Sequence, residues 1–348
     1  MPDHATPLPD RIETEEALEE VMTRPSAALV EFIRTLRGPL LILGAGGKMG
    51  PTLAVRARRA ADAAKCNLDI VAVSRFSDRK AREWLERERV RTLNADLLAA
   101  SDVASLPDAE DVIYLVGLKF GTTQNPAATW VMNTLVPAHV AERYPRARLV
   151  VLSSGNVYPL VGGGSGATED HPLTPLGEYS NACVARERIF EYFSQQNCTP
   201  MVLVRLAYAV ELRYGVLLDI AAKVWAGDPV DVTMNRLNWI WQGDANDMIL
   251  RMLAFTASPP VPLNLTGPQP VSIRAAATRL GELLSRPAKL TGVEDETTFF
   301  SNPARACAAL GAPTMPLETL LRWIAHWVSR GGRTLGKPTH FEVRDGKY

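Results

Sequence analysis

A run of glycines near the start of the chain has the composition of a loop that binds phosphate. Residues 41–50 read LILGAGGKMG, so an apolar strand ends at Gly44 and a helix begins near Gly50. Gly44 permits a tight turn, Gly47 lets the backbone approach a pyrophosphate, and Gly50 allows the helix to pack closely on the strand. The helix start adds unpaired N–H groups and the positive end of a dipole. The run therefore predicts a dinucleotide site; the alternative is a glycine turn without a ligand.

The end of the next predicted strand bears on the choice between NAD and NADP. The apolar run 70–73 is followed by Ser74 and Arg75, where an NAD site would have an acidic residue for the adenosine ribose. A guanidinium can bind a 2′-phosphate, so Arg75 favours NADP over NAD. The alternative is that Arg75 is a solvated surface charge. Within the glycine loop, Lys48 can assist Arg75, and Met49 belongs to the same set of predicted cofactor contacts.

The order of strands and helices decides whether these residues can meet. Short apolar runs alternate with stretches of helical periodicity, which predicts a parallel sheet with helices on both faces. The predicted strands are residues 40–43, 70–73, 112–116, 149–152 and 201–204. The predicted helices between them are residues 49–64, 77–89, 127–143 and 179–194. The fold class is α/β, a doubly wound parallel-sheet Rossmann domain with a smaller C-terminal substrate-binding lobe.

The alternation of strands and helices divides the chain into three predicted regions. Residues 1–38 form an N-terminal helical extension, with helices near 14–22 and 26–36, that packs on the body. Residues 39–205 form the Rossmann domain. Residues 206–348 mainly form the substrate-binding lobe, with some segments returning to the Rossmann domain. The helices of this lobe are predicted at residues 216–225, 245–255, 273–284 and 317–329.

The overall composition excludes several classes of protein. The 348 residues contain 38 Lys+Arg and 38 Asp+Glu, and this zero net charge argues against nucleic acid or an anionic membrane as a partner. No apolar run approaches the roughly 18–20 residues of a spanning helix, and the acidic N-terminus does not have the pattern of a secretory signal. Four scattered cysteines do not match a zinc site or a disulfide framework. We therefore expect a soluble cytoplasmic protein without a metal.

Four further segments resemble one enzyme class in their residue types and order. They are residues 94–97 (NADL), 112–119 (VIYLVGLK), 152–158 (LSSGNVY) and 168–175 (TEDHPLTP), the last followed by Tyr179. With the glycine loop they resemble the extended short-chain dehydrogenase/reductase superfamily, in its NAD(P)-dependent sugar epimerase/dehydratase group. The resemblance covers about residues 39–330. It implies an enzyme that acts on a hydroxyl or carbonyl carbon of a carbohydrate and that forms a homodimer.

The resemblance also implies catalytic roles for Ser154 and Tyr179. In this superfamily a tyrosine is the general acid/base on the substrate oxygen, and a serine hydrogen-bonds that oxygen while hydride moves to or from nicotinamide. A lysine four residues after the tyrosine binds the ribose and lowers the pKa of the phenol, but this chain has Cys183 there. An unperturbed phenol has a pKa of about 10, so a base that works near neutral pH needs a nearby cation.

Two cations can replace the missing lysine. Arg186 lies two turns after Tyr179 on the same face of the predicted helix. Lys119 follows the fourth strand, whose C-terminal end opens on the cofactor crevice. We favour Lys119, because residues 117–119 resemble the cofactor-facing loop of sugar epimerases; the alternative is a surface lysine. Cys183 is interpreted as a small packing residue rather than a nucleophile.

The same resemblance assigns contacts to the cofactor and to the substrate. The cofactor contacts that it adds are Asp96, Leu97, Val116, Gly117 and Cys183. The substrate contacts are Asn156, Tyr158 and Arg205; the alternative for Tyr158 is that it packs beside the strand of Ser154. The second lobe departs from the family pattern, because Tyr208 stands where sugar-nucleotide enzymes carry asparagine. A nucleotide-linked sugar and a free sugar or sugar acid therefore remain open as substrates.

Two features later in the chain have two interpretations each. Trp239 and Trp241 either stack on a substrate or belong to the core, and Asp244 is predicted to cap the helix that follows them. For the whole protein the alternative to an enzyme is an NAD(P)-binding sensor or scaffold that kept the fold and lost the chemistry, and Cys183 motivates it.

Overall fold

A computed structural model of the chain describes residues 7–119, 121 and 124–347. At its centre is a seven-stranded sheet whose strands are all parallel. The strands of this sheet are β1 Leu40–Leu43, β2 Ile70–Ser74, β3 Arg91–Asn94, β4 Asp111–Tyr114, β5 Arg148–Ser154, β7 Met201–Leu206 and β12 Val261–Leu265. The remaining strands form two-stranded pairs: β6 Val161–Gly162 with β15 Thr297–Thr298, β8 Ala209–Val210 with β11 Ile240–Trp241, β9 Pro229–Asp231 with β14 Lys289–Thr291, and β10 Arg236–Leu237 with β13 Val271–Ser272.

The strand order confirms the predicted fold class. Across the central sheet it runs β12-β7-β5-β4-β1-β2-β3, so the order reverses between β1 and β4. In doubly wound folds a ligand binds at the carboxyl ends of the strands next to such a reversal. The glycine loop follows β1 at this point, and residues 115–119 follow β4.

The helices cover both faces of the sheet and build the second lobe. They are α1 Glu15–Thr23, α2 Ala27–Ile33, α3 Gly50–Ala63, α4 Arg79–Arg87, α5 Ala100–Ser105, α6 Pro126–Arg143, α7 Glu178–Asn197, α8 Val216–Ala226, α9 Gln242–Arg251, α10 Ile273–Leu284, α11 Ala304–Leu310 and α12 Leu317–Ser329.

The prediction that Asp244 caps a helix was wrong. Because α9 begins two residues earlier, the Asp244 carboxylate instead accepts hydrogen bonds from the N–H groups of Thr314 and Met315, both at 2.9 Å.

Strand β1 shows why the sheet needs helices on both faces. All four of its residues are buried, and successive side chains point to opposite faces. Leu40 and Ile42 join a core with residues of α3 and α9, whereas Leu41 and Leu43 join a second core with residues of α6. A strand that is buried on both faces consists of an uninterrupted run of apolar residues. Residues 40–43 were predicted as a strand from such a run.

The N-terminal helices are fastened to the body by a buried ion pair. Arg56 on α3 donates to the Asp247 carboxylate on α9, with Nη2 and Oδ1 2.9 Å apart, and to the carbonyl of Met22 at 3.0 Å. The N–H and hydroxyl of Ser26 donate to the same carboxylate at 3.0 and 2.9 Å. The extension is therefore held by both the first and the second half of the chain.

The second lobe has a core of its own. Trp241 packs edge-on against Trp323 of α12 with ring centroids 5.9 Å apart, and Trp239 is buried in the same cluster. These tryptophans are core residues of the lobe.

In the part of the chain that the structure describes, no helix is both long and apolar enough to cross a membrane, and no group of His, Cys, Asp and Glu forms a candidate metal site.

Candidate active site

The glycine loop adopts the tight geometry that its residue types predict. Gly44 has a φ of +83°, and its carbonyl accepts the N–H of Gly47 at 3.0 Å. A side chain at Gly44 would meet Val116 Cγ2 at 2.9 Å, because the loop after β4 lies against the turn. A side chain at Gly50 would lie 2.4 Å from the carbonyl oxygen of Ala45. Only glycine at this position allows α3 to start so close to the end of β1.

The surroundings of this loop fit a dinucleotide. Gly46 and Gly47 are exposed, and a side chain at Gly46 would lie 2.6 Å from the Ser74 hydroxyl, so Ser74 lies close to the bare backbone at this point. Arg75 is 69% exposed and its guanidinium lies 3.9 Å from the Asp96 carboxylate. Open backbone N–H groups at a helix start suit a pyrophosphate, and an accessible guanidinium and carboxylate suit the adenosine end.

Three predicted cofactor contacts have other surroundings. Met49 and Leu97 are core residues, one on each face of the sheet. Lys48 extends toward the second lobe, where Nζ donates to the carbonyl of Ala209 at 2.5 Å and lies 3.9 Å from the ring centre of Tyr214. Burial lowers the pKa of Lys48 to about 7. The lysine of the glycine loop thus joins the two lobes.

Ser154 and Tyr179 meet at the carboxyl edge of the sheet. Ser154 is the last residue of β5, and Tyr179 lies in the first turn of α7. The Ser154 hydroxyl accepts the N–H of Asn156 at 3.1 Å and donates to the Tyr179 oxygen. Burial raises the pKa of Tyr179 far above its usual range, and the positive charge of Arg186 and the hydrogen bond from Ser154 partly oppose that rise. The phenol is therefore protonated in this state.

Cys183 occupies the position of the missing lysine, one helical turn after Tyr179. It is fully buried and packs with Val157 and Tyr158. The Tyr179 hydroxyl donates to Sγ, and Nη2 of Arg186 donates to the same sulfur at 3.4 Å. Burial raises the pKa of the Cys183 thiol, so the group is neutral near neutral pH, and the hydrogen bond that it accepts from the phenol favours the protonated form of Tyr179.

The two candidate cations act on different neighbours. Burial lowers the pKa of Lys119 to about 8, while the nearby Cys183 and Asp219 favour its charged form. Arg186 lies deeper, at 4% exposure, and its charge lowers the pKa of Tyr179. A side chain at Gly117 would come within 2.9 Å of Arg186 Nη2. Gly117 therefore leaves room for the guanidinium, and its predicted contact with the cofactor stays a prediction.

Tyr158 and Arg205 lie in a closed polar network beneath the site. Arg205 pairs with Glu187 at 2.8 Å and donates to the Tyr158 hydroxyl at 2.8 Å, and that hydroxyl donates to Asn264 Oδ1 at 2.8 Å. Arg205 is 5% and Tyr158 2% exposed. Because their polar groups are satisfied inside the protein, the network favours a structural role for both residues, and their predicted substrate contacts stay predictions. The sequence interpretation missed Glu187; its only signal was an acidic residue eight positions after Tyr179.

Comparisons with solved structures show where this fold occurs. The UDP-glucose 4-epimerase of Thermus thermophilus, in complex with NAD, superposes with a TM-score of 0.68 at 18% identity, over 83% of this chain and 98% of that chain. The UDP-glucuronic acid 4-epimerase of Bacillus cereus, in complex with UDP-glucuronic acid and NAD, gives 0.70 at 16%, over 84% and 99%. The epimerase Mth375 of Methanothermobacter thermautotrophicus gives 0.71 at 17%, over 88% and 96%. At these identities the likeness shows the fold alone.

A sequence comparison identifies the family. Curated proteins gave no match to this chain. The profile of the NAD dependent epimerase/dehydratase family, however, matches residues 40–264, well over half of the sequence. The match begins at β1 and extends through the glycine loop, Ser154 and Tyr179 to Asn264 at the end of the sheet. With the fold and the site arranged as described, this chain belongs to the NAD dependent epimerase/dehydratase family.

Proposed function

We propose that the protein is an NAD(P)-dependent oxidoreductase or epimerase that acts on a hydroxyl or carbonyl carbon of a carbohydrate. The observation that carries the proposal is the hydrogen bond from Ser154 to Tyr179 at the sheet edge where the glycine loop also opens. Family membership supports a nicotinamide cofactor. Solved neighbours that carry NAD with UDP-glucose or UDP-glucuronic acid support a sugar as the substrate.

The cofactor would be held by residues from the first half of the sheet. The backbone of residues 44–50 would bind the pyrophosphate, and Ser74, Arg75 and Asp96 would surround the adenosine end. Residues 116–117, at the end of the loop from β4, would line the crevice. When bound, nicotinamide accepts or donates a hydride. The exposed guanidinium of Arg75 favours NADP over NAD.

The chain's own residues would move the proton and hold the substrate oxygen. Because the Tyr179 phenol is protonated in the resting protein, it would donate this proton to a substrate carbonyl oxygen in the reducing direction, and its phenolate would accept the proton of a substrate hydroxyl in the oxidising direction. Ser154 would hydrogen-bond the same oxygen and keep it beside the phenol. We propose Lys119 as an additional positive charge in this crevice and Asn156 as a substrate contact.

The test is turnover by the wild type and by the Tyr179→Phe variant. The purified protein is incubated with NAD⁺ or NADP⁺ and, in turn, UDP-glucose, UDP-glucuronic acid and a series of free sugars and sugar acids, and the products are identified by NMR. We expect the variant to lose at least about 100-fold in turnover, the low end of what a general acid/base contributes, while it still binds NADPH.

Tyr192→Phe is the matched control, since this tyrosine lies on the same helix but is 58% exposed. It should keep wild-type turnover. If Tyr179→Phe turned over substrate as fast as the wild type, the acid/base role would be refuted.

The second candidate function is a sensor or scaffold that binds NAD(P) without turnover. It is favoured by one observation, the neutral, buried Cys183 at the position of the catalytic lysine. Tight binding of NADPH by a wild type that converts none of the sugars would support the sensor, and wild-type turnover would exclude it.

A further inference from the structure

Helix α7 aligns Tyr179, Cys183 and Arg186 on one face. The spacings of four and three residues place their side chains one above the other. Cys183 and Arg186 are buried and Tyr179 is half-buried, and Ser154 at the end of β5 completes a short chain of hydrogen bonds. In this chain Ser154 donates to Tyr179, Tyr179 donates to the Cys183 sulfur, and Arg186 donates to the same sulfur. The Arg186 guanidinium and the Tyr179 phenol are thus linked by two hydrogen bonds that share one atom, the Cys183 sulfur.

The partners of Arg186 are all neutral. Nε donates to Asn133 Oδ1 on α6 at 3.1 Å, and Nη2 contacts the same oxygen. Nη1 donates to the carbonyl of Leu152 on β5 at 2.5 Å, and the thiol of Cys183 accepts at 3.4 Å. Within residues 7–119, 121 and 124–347, the guanidinium makes no ion pair with a carboxylate. A buried charge without a counter-ion acts strongly on its neighbours, because little solvent screens it.

The neutral thiol suits this position better than a charged group would. A thiol can accept a hydrogen bond from the guanidinium while its own S–H turns toward a phenolate oxygen. A lysine at position 183 would place a second cation against Arg186. Cysteine at position 183 and arginine at position 186 are therefore compatible in a way that lysine and arginine are not.

We propose that Arg186 is the positioning residue that stabilises the Tyr179 phenolate, through the Cys183 thiol, in place of the lysine that Cys183 replaces. This inference rests on the proposed role of Tyr179 as the acid/base group. The sequence favoured Lys119 for this task, but Arg186 donates a hydrogen bond to the Cys183 sulfur at 3.4 Å. The charged and titratable groups that face this cluster are Arg186 and Glu187 of α7, Tyr114 of β4, and Lys119 of the loop after β4.

The experiment measures the ionisation of residue 179 without a substrate. Trifluorotyrosine is incorporated at position 179 of the full-length protein, because the ring fluorines move phenol ionisation to lower pH and give a ¹⁹F NMR signal. The signal is titrated in the wild-type background and in Arg186→Gln and Asn133→Asp. The second variant leaves the guanidinium in place and adds a carboxylate against it, so it tests the same charge if Arg186→Gln fails to fold.

We expect both variants to raise the titration midpoint of residue 179 by about one pH unit, since an opposite charge nearby favours the ionised form. Arg188→Gln is the matched control, because it removes an equal charge from the outer face of α7, where Arg188 pairs with Glu191. Its midpoint should equal that of the wild-type background. Arg186→Lys, which keeps the charge, should shift the midpoint less than Arg186→Gln.

An unchanged midpoint in Asn133→Asp, or in a folded Arg186→Gln, would overturn the inference. So would a shift in Arg188→Gln as large as that in Arg186→Gln, since the effect would then be a general one of net charge. The titration tests the role of Arg186 whether or not the proposed function is correct. If the wild type converted no sugar, the proposed function would fail while the midpoints still reported on Arg186. If a substrate is found, the alkaline limb of its pH–rate profile should move in the same direction as the midpoints.

Discussion

Two buried arginines, Arg186 on α7 and Arg205 on β7, have charges that the protein compensates differently. Arg205 faces the Glu187 carboxylate at 2.8 Å and the Tyr158 hydroxyl, whereas Arg186 is surrounded by an amide oxygen, a carbonyl and a thiol. Arg186 and Glu187 are neighbours in sequence, yet they point to different sides of α7. The Glu187 carboxylate therefore pairs with Arg205 and not with its sequence neighbour Arg186.

The difference between the two arginines shows that helix α7 carries both one half of a structural ion pair, Glu187, and an uncompensated charge, Arg186. A buried ion pair with satisfied hydrogen bonds holds elements together but produces little net field at a distance. A buried cation with only neutral hydrogen-bond partners keeps its field, and the titratable groups coupled to Arg186 include Cys183, Tyr114 and Tyr179. Arginine thus stabilises the fold at position 205 and acts on neighbouring titratable groups at position 186.

The largest expected effect comes from breaking the compensated pair. Glu187→Gln leaves Arg205 buried without its counter-ion and weakens the hydrogen bond that Ser153 donates to Glu187 at 2.5 Å. We expect a loss of about 3–5 kcal/mol in the free energy of unfolding, measured by chemical denaturation. The control Glu191→Gln removes a surface partner of Arg188 and should cost less than about 1 kcal/mol. Equal effects of the two substitutions would mean that burial does not distinguish these pairs.

A smaller effect is expected from the hydroxyl in the same network. Tyr158→Phe leaves Asn264 and Arg205 each without one partner, while the ring stays in its core position. We expect a loss of about 1–3 kcal/mol in unfolding free energy and unchanged KM for any substrate identified. A normal stability with a raised KM would return Tyr158 to the substrate site and break the division between the two networks.

The smallest effect belongs to a third arginine, which is exposed. Arg75 lies at the end of β2 with its guanidinium 69% exposed, so solvent screens its interactions. We expect Arg75→Ser to weaken NADPH binding about tenfold, roughly 1.4 kcal/mol, and to leave NADH binding unchanged. Fluorescence titration with both cofactors gives the ratio. An equal loss for the two cofactors would contradict a role at the 2′-phosphate.

The agreement between sequence and structure is best where a residue's task is local. The positive φ of Gly44 and the close packing at Gly50 are possible because glycine has no side chain. The loop could therefore be predicted from its own amino-acid sequence. The cap assigned to Asp244 failed because its partners, Thr314 and Met315, come from a distant segment. Lys48 likewise extends to Ala209, which no local pattern indicates.

The amino-acid sequence by itself determined the doubly wound sheet, the glycine loop at its reversal point, and the pairing of Ser154 with Tyr179 as an expectation of the family. Periodicity and glycine content encode these features within short windows. Only the tertiary structure decided which cation acts on the phenol and which arginine is neutralised. Those outcomes depend on Asn133 and Leu152, far from Arg186 along the chain, because burial and charge compensation exist only once distant segments have packed together.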